Sequence, residues 1–284
     1  MRFKIFAFIY LFAAGTCFSV SAVEGIRLEK RVDWTEGILY MTIIVDIPQE
    51  SVALPKARQW AEKKVEMNSE ELLLQAIGDI PADSFYLIEE YLRIVEPELL
   101  NDLKKLAHSL QKISSTLSKD LKSCRVEYLL PLYPDLISLF IKHERPYSPP
   151  TLLEWEPTNR FSGIVIYMKD LLPVHGKREE ARISPALFPE IYDTDMNLLV
   201  EKNAMDPEML RRWGSFAYTT DFNETPYTER IGQVPLRILG VGLFGKYNTD
   251  IVISRENARK IMATRHNRDL LAQGRVLVIC DFPQ

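Results

Sequence analysis

The chain has 284 residues, 46% of them hydrophobic, and 35 basic against 39 acidic side chains give it a net charge of −4. That length and apolar content leave room for one large core or two smaller ones. A mildly acidic chain without a basic block is poorly suited to nucleic acid, whose binding relies on Lys and Arg displacing counterions from phosphates.

In chain order, the first residues read as a secretory signal. Met1-Arg-Phe-Lys4 is a basic start, Ile5 to Gly15 an apolar run, and Ser19-Val-Ser-Ala22 a small-residue cleavage site. The apolar run is about half of the ~20 residues that a membrane-spanning helix needs. Cleavage after Ala22 removes Arg2 and Lys4 and takes the net charge to −6. Cys17 stands near the position of a lipid-attachment cysteine, but the preceding Thr16 is a poor match for such a signal. The mature chain is expected in the periplasm or cell envelope, without a transmembrane segment and at most peripherally associated with the outer membrane.

The spacing then predicts two strands, Ile26 to Trp34 and Ile38 to Ile47, joined as a hairpin by Thr-Glu-Gly. Ala57, Ala61, Val65, Leu72 and Ala76 predict an amphipathic helix over 54–77. Asp83-Ser84 caps a second helix from Phe85 to Glu96, and Pro97 opens a third. In that third helix Leu99, Leu103, Leu106, Leu110, Ile113 and Leu117 form a heptad-spaced stripe, more consistent with an internal helix than with a coiled coil. A strand over Ser123 to Leu132 and a short helix or turn over Tyr133 to Ile141 follow.

Arg145-Pro-Tyr-Ser-Pro-Pro150 cannot continue a helix or central strand and marks a boundary. Beyond it, strands are predicted over Phe161 to Met168, Leu187 to Tyr192, Asn197 to Glu201, Val234 to Leu239, Asp250 to Ser254 and Arg275 to Asp281. Helices are predicted over Asp206 to Trp213 and Arg255 to Ala263. The fold class is α+β. Its parts are a signal peptide (1–22), an N-terminal α+β domain (23–145), a Pro-rich linker (146–160) and a strand-rich C-terminal α+β domain (161–284).

Several stretches invite a chemical reading. Gly240-Val-Gly-Leu-Phe-Gly-Lys-Tyr247 fits G-x-G-x-x-G, yet the loop leads to Asn-Thr-Asp250 and a strand rather than a helix N-terminus, so the glycines are expected at a bend, a bulge or a close backbone approach. Asp193-Thr-Asp-Met-Asn197 begins like a calcium loop, but Leu198 and Ala204 stand where Gly and Glu are needed, which favours a hairpin turn. His108, His143, His175 and His266 have no ligand spacing, and Glu179-Glu180 has no evident catalytic partner. Cys124 and Cys280 are flanked by aliphatics and are expected as buried free thiols rather than a pair. No catalytic, cofactor-binding or metal-binding residues are predicted. Trp34, Trp60, Trp155 and Trp213 could fill cores or line a glycan or peptide groove, and Leu153-Glu-Trp-Glu-Pro157 is a candidate contact surface.

Certain blocks carry a resemblance: the N-terminal hairpin followed by Ala53-Leu-Pro-Lys-Ala-Arg-Gln-Trp-Ala61, then Gly163-Ile-Val-Ile166, Ile183-Ser-Pro-Ala-Leu-Phe-Pro-Glu-Ile-Tyr-Asp193, Arg230-Ile-Gly-Gln-Val-Pro-Leu-Arg-Ile238, Asp250-Ile-Val-Ile-Ser254 and Arg275-Val-Leu-Val-Ile279. They resemble exported spirochaete-type envelope proteins, akin to FlgT/FlgP-like flagellar assembly and outer-membrane lipoproteins. The resemblance implies a non-catalytic structural or assembly protein whose partners are other envelope or flagellar proteins. The alternative is a module that binds an envelope polymer such as peptidoglycan or another glycan.

Overall fold

The computed structural model describes residues 18–19, 24–48, 52–147 and 156–282. Apart from Phe18 and Ser19, the expected leader lies outside them, as do Pro149, Pro150 and Trp155. The architecture is α+β, two large sheets and a two-stranded ribbon with helices packed against the sheets.

Strand alternation sets the first layer. A two-residue strand, β1 (Phe18–Ser19), pairs with β2 (Ile26–Asp33), which forms the predicted hairpin with β3 (Ile38–Asp46). In β3 every second residue is buried, Leu39, Met41, Ile43 and Val45, while Tyr40, Thr42 and Ile44 are half-exposed. The strand therefore offers one face to a core and the other to solvent.

Helices cover the buried face. In α1 (Ala57–Met67) Ala57, Ala61 and Val65 recur every fourth residue and pack toward β3. The single helix predicted over 54–77 is broken at Asn68, whose side chain donates to the Lys64 carbonyl at 2.7 Å. The chain restarts as α2 (Ser69–Ile77), with Glu70 and Glu71 favourably placed in its first turn. Next, α3 (Ile88–Ile94) begins later than Phe85 because Asp83 accepts from the backbone N-H groups of Phe85 and Tyr86 and holds a turn there.

The heptad stripe is overturned as one helix. After α4 (Leu99–His108) the Ser109 hydroxyl donates to the Leu106 carbonyl, and Ile113 and Leu117 lie instead on β4 (Gln111–Leu117). In Lys112-Ile-Ser-Ser-Thr116 the β-branched Ile113 and Thr116 suit a strand, and β5 (Ser123–Pro131) supplies the antiparallel partner that decides it. The first sheet has the order β1-β2-β3-β5-β4.

The second half contains β6 (Ile164–Met168), a short ribbon of β7 (Leu172–Pro173) and β8 (Glu180–Ala181), then β9 (Ile191–Asp193) and β10 (Leu198–Val200). The chain continues through α5 (Pro207–Trp213), β11 (Ala217–Thr219), α6 (Thr228–Ile231), β12 (Leu236–Phe244) and β13 (Asp250–Ile253), ending with α7 (Arg255–Met262), α8 (Arg265–Ala272) and β14 (Val276–Cys280). Seven strands join in the order β10-β9-β13-β12-β6-β14-β11, and β12, β6, β14 and β11 run parallel. All five residues of β14 are buried, as expected of a strand covered on both faces. The strand predicted from Leu187 begins only at Ile191, and β12 continues past Leu239 through two glycines.

One buried apolar cluster runs from Ile26 to Cys280 and takes residues from both halves. Between them, Leu187 and Phe188 donate backbone N-H groups to the carbonyls of Pro81 and Ala82 at 3.1 and 2.8 Å. Tyr91, Phe140 and Phe188 meet edge to face across the same joint, and Trp34 meets Tyr218 in the same way.

Candidate functional site

The glycine stretch is part of that joint. Gly240 and Gly242 lie inside β12 with a register shift between them opposite β13. A Cβ on Gly240 would fall on the Met168 sulfur, and one on Gly242 would stand 3.1 Å from the Pro173 carbonyl. Gly245, at φ +94°, turns the chain toward β13, and its Cα lies so close to Ser84 that an added Cβ would be 2.4 Å from the Ser84 Cβ. The N-H groups of Lys246 and Tyr247 both donate to the Ser84 carbonyl, at 2.8 and 3.1 Å. Their side chains reach Glu90. Three donors converge on Glu90, the Leu87 backbone N-H foremost, then Lys246 and Tyr247, and they hold its carboxyl down at about 2. The loop thus forms a strand-turn-strand hairpin docked on the other half, as the absence of a following helix suggested.

Behind this turn lies an acidic cluster that the sequence did not single out. Asp250 is fully buried; one carboxyl oxygen accepts from the Glu190 N-H at 3.0 Å, and the other has no well-formed hydrogen bond among the described residues, with the Ser84 hydroxyl nearby. Burial raises its carboxyl to about 7. Glu190 is also raised by burial, although the Tyr192 hydroxyl donates to it.

The aromatic residues divide. Trp34 and Trp213 line one cleft of about 290 Å³ together with Tyr133, Phe216, Tyr227, Arg212 and Glu229, at the junction of the β2–β3 turn, the end of α5 and α6. Trp213 is fixed: its indole N-H donates to the Gln273 carbonyl at 3.0 Å, and the Arg212 guanidinium lies 4.8 Å from its ring. Arg230 also lines the cleft and is only 7% exposed, yet among the described residues it meets no carboxylate. Its guanidinium donates to four carbonyls, those of Trp213, Gly214, Ser215 and Gly274, at 2.6 to 3.0 Å. Trp60 stands apart on α1 with Lys64 over its ring. Trp155 and most of the Leu153 to Pro157 stretch lie outside the described residues.

The remaining candidates separate. Asp193 accepts from the backbone N-H groups of Asp195 and Asn197 and from the Asn197 side chain, which closes the β9–β10 hairpin as a turn. His108 faces Glu70, His143 reaches the Met205 carbonyl, His175 meets the edge of Phe244, and His266 reaches the Phe161 carbonyl. Glu179 pairs with Lys177. Cys124 and Cys280 are both buried and free, as expected, and burial pushes the Cys280 thiol up to about 12.

The second sheet also leaves an apolar face open. Ile231 on α6 covers Val165, Leu277 and Ile279. Farther along the same face, Leu239 is aligned with Tyr167 by register and Tyr167 stacks on Phe222. Leu239 and Phe222 are 68% and 61% exposed.

Among curated proteins none matches this chain. Residues 25–139 match the family model of the N-terminal domain of Treponema pallidum Tp0624, and residues 163–282 match that of its second domain. The two matches stand in the order that those descriptions give and together span most of the chain, which therefore belongs to the spirochaete family that these two Tp0624 domains define.

Proposed function

We propose that the protein is an exported, non-catalytic component of the cell envelope that acts in structure or assembly through protein contacts. The observation that carries this reading is the open apolar face around Leu239, Tyr167 and Phe222, beside a core that ties both halves together. Large exposed apolar side chains clustered on one sheet face favour a protein partner. Charges at the rim, the Arg237–Glu224 pair and Lys169 over Phe222, would orient it. Crosslinking of the mature chain in intact envelopes, compared with Leu239→Lys and Phe222→Ser variants, tests it. Loss of one defined set of crosslinks in both variants, flagellar or outer-membrane, is expected; an unchanged pattern refutes the surface.

A second reading has its own observation, the convergence of Trp34, Tyr227 and Trp213 with Arg212 and Glu229 in one cleft at the junction of the halves, where ligand sites are often found. That arrangement suits a glycan strand of the envelope. Retention on purified cell-wall polymer that Trp213→Ala abolishes would support it, and no retention by the intact protein would remove it.

A further inference from the structure

Asp250 opens β13 immediately after the turn that docks on Ser84. One of its oxygens accepts from the Glu190 N-H and, at 3.4 Å, from the Thr249 hydroxyl; the other has no well-formed hydrogen bond among the described residues, although the Ser84 hydroxyl across the joint lies close enough to favour the charged form. Among the described residues, the ionisable groups that face it are Glu190 in the approach to β9, Tyr192 on β9, Asp83 in the turn before α3, and Tyr218 on β11. Glu201 and Asp83 in turn bear on Glu190. None of these groups is a cation.

The nearby lysines are committed elsewhere. Lys246 pairs with Glu90, and Lys202 lies over the rings of Phe188 and Tyr91. A buried carboxylate without a counter-ion, beside a second carboxyl, is far more costly than the protonated acid.

We propose that the joint between the two halves is a proton-operated latch, closed while Asp250 keeps its proton and loosened when that proton leaves. The direction follows from linkage. The carboxyl sits at about 7 in the folded chain against an ordinary 3.8. Between those limits the closed state holds more protons than the open one, so closure weakens as pH rises and levels off above about 7. For this group alone the closed-to-open ratio falls up to about tenfold per pH unit across the window. An exported protein with such a joint would hold its halves most tightly in an acidic surrounding. This goes beyond the contact role proposed above and does not depend on it.

Hydrogen exchange of the full chain at pH 5.5 and 8, corrected for intrinsic rates, tests the latch. Protection over residues 83–87 and 245–250 is expected to fall about tenfold or more at the higher pH, while the amides of β14 stay protected. Asp250→Asn, which mimics the protonated acid, should keep both segments protected at pH 8. Equal wild-type protection at the two pH values, a loss spread evenly into β14, or the same loss in Asp250→Asn would overturn the proposal. Should Asp250→Asn fail to fold, the wild-type result stands alone, and Glu190→Gln supplies the second variant. With its neighbouring charge gone, the loss of protection should move to lower pH, and an unmoved transition counts against the latch.

Discussion

Gly245→Ala is the sharpest test of what the glycine stretch does. Two costs add at this position. A side chain at φ +94° sits in a region that L residues rarely adopt, about 1–3 kcal/mol. The new Cβ would also be 2.4 Å from the Ser84 Cβ and 2.9 Å from the Ser84 carbonyl oxygen, so backbone must move, at about 1–3 kcal/mol more. The expected loss is about 2–6 kcal/mol in equilibrium denaturation, a large share of the total stability of an ordinary domain.

Gly176→Ala is the control. Gly176 has φ +81° with nothing within 4 Å of the added Cβ, so it carries the conformational cost alone, about 1–2 kcal/mol. Removing the Ser84 Cβ as well, in Gly245→Ala with Ser84→Gly, should recover part of the loss, with a coupling of about 1 kcal/mol or more. If Gly245→Ala costs no more than Gly176→Ala, the close approach to Ser84 is not what the glycine serves, and the docking argument fails.

Other outcomes follow from the buried groups. Arg230→Lys removes the planar fork that spans four carbonyls and should destabilise by about 3–5 kcal/mol, measured by chemical denaturation; a loss under about 1 kcal/mol would mean that the carbonyls are satisfied otherwise. Cys124 and Cys280 should resist a thiol reagent at pH 8 in the native protein and react fully in denaturant, because both are buried and the Cys280 thiol is held protonated up to about 12. Rapid native labelling of either would show that its strand opens easily.

Where apolar spacing was long and matched to one period, the local structure could be read directly. The β2–β3 hairpin, α5, α7, and the runs Ile164-Val-Ile-Tyr-Met168 and Val276-Leu-Val-Ile-Cys280 all appear close to their expected limits. Short elements escaped: β11 has three residues, Ala217-Tyr-Thr219, too few to show a period, and it becomes a strand only because β14 offers it a parallel partner. Leu99 to Leu117 misled for the opposite reason. Its 4,3 spacing suits a helix throughout, but cross-strand pairing with β5 captured the last seven residues.

Sequence alone determined that Gly240 to Tyr247 opens no helix, that Asp193 to Asn197 closes a turn, and that the cysteines sit among aliphatics, because each depends on neighbours a few residues away. Only the tertiary structure decided that Trp34 and Trp213 share a cleft, that Gly245 rests on Ser84, and that Asp250 is buried with no cation facing it among the described residues. Those are contacts between residues far apart in the chain. Their energies depend on desolvation and close approach, which no local pattern of residue types encodes.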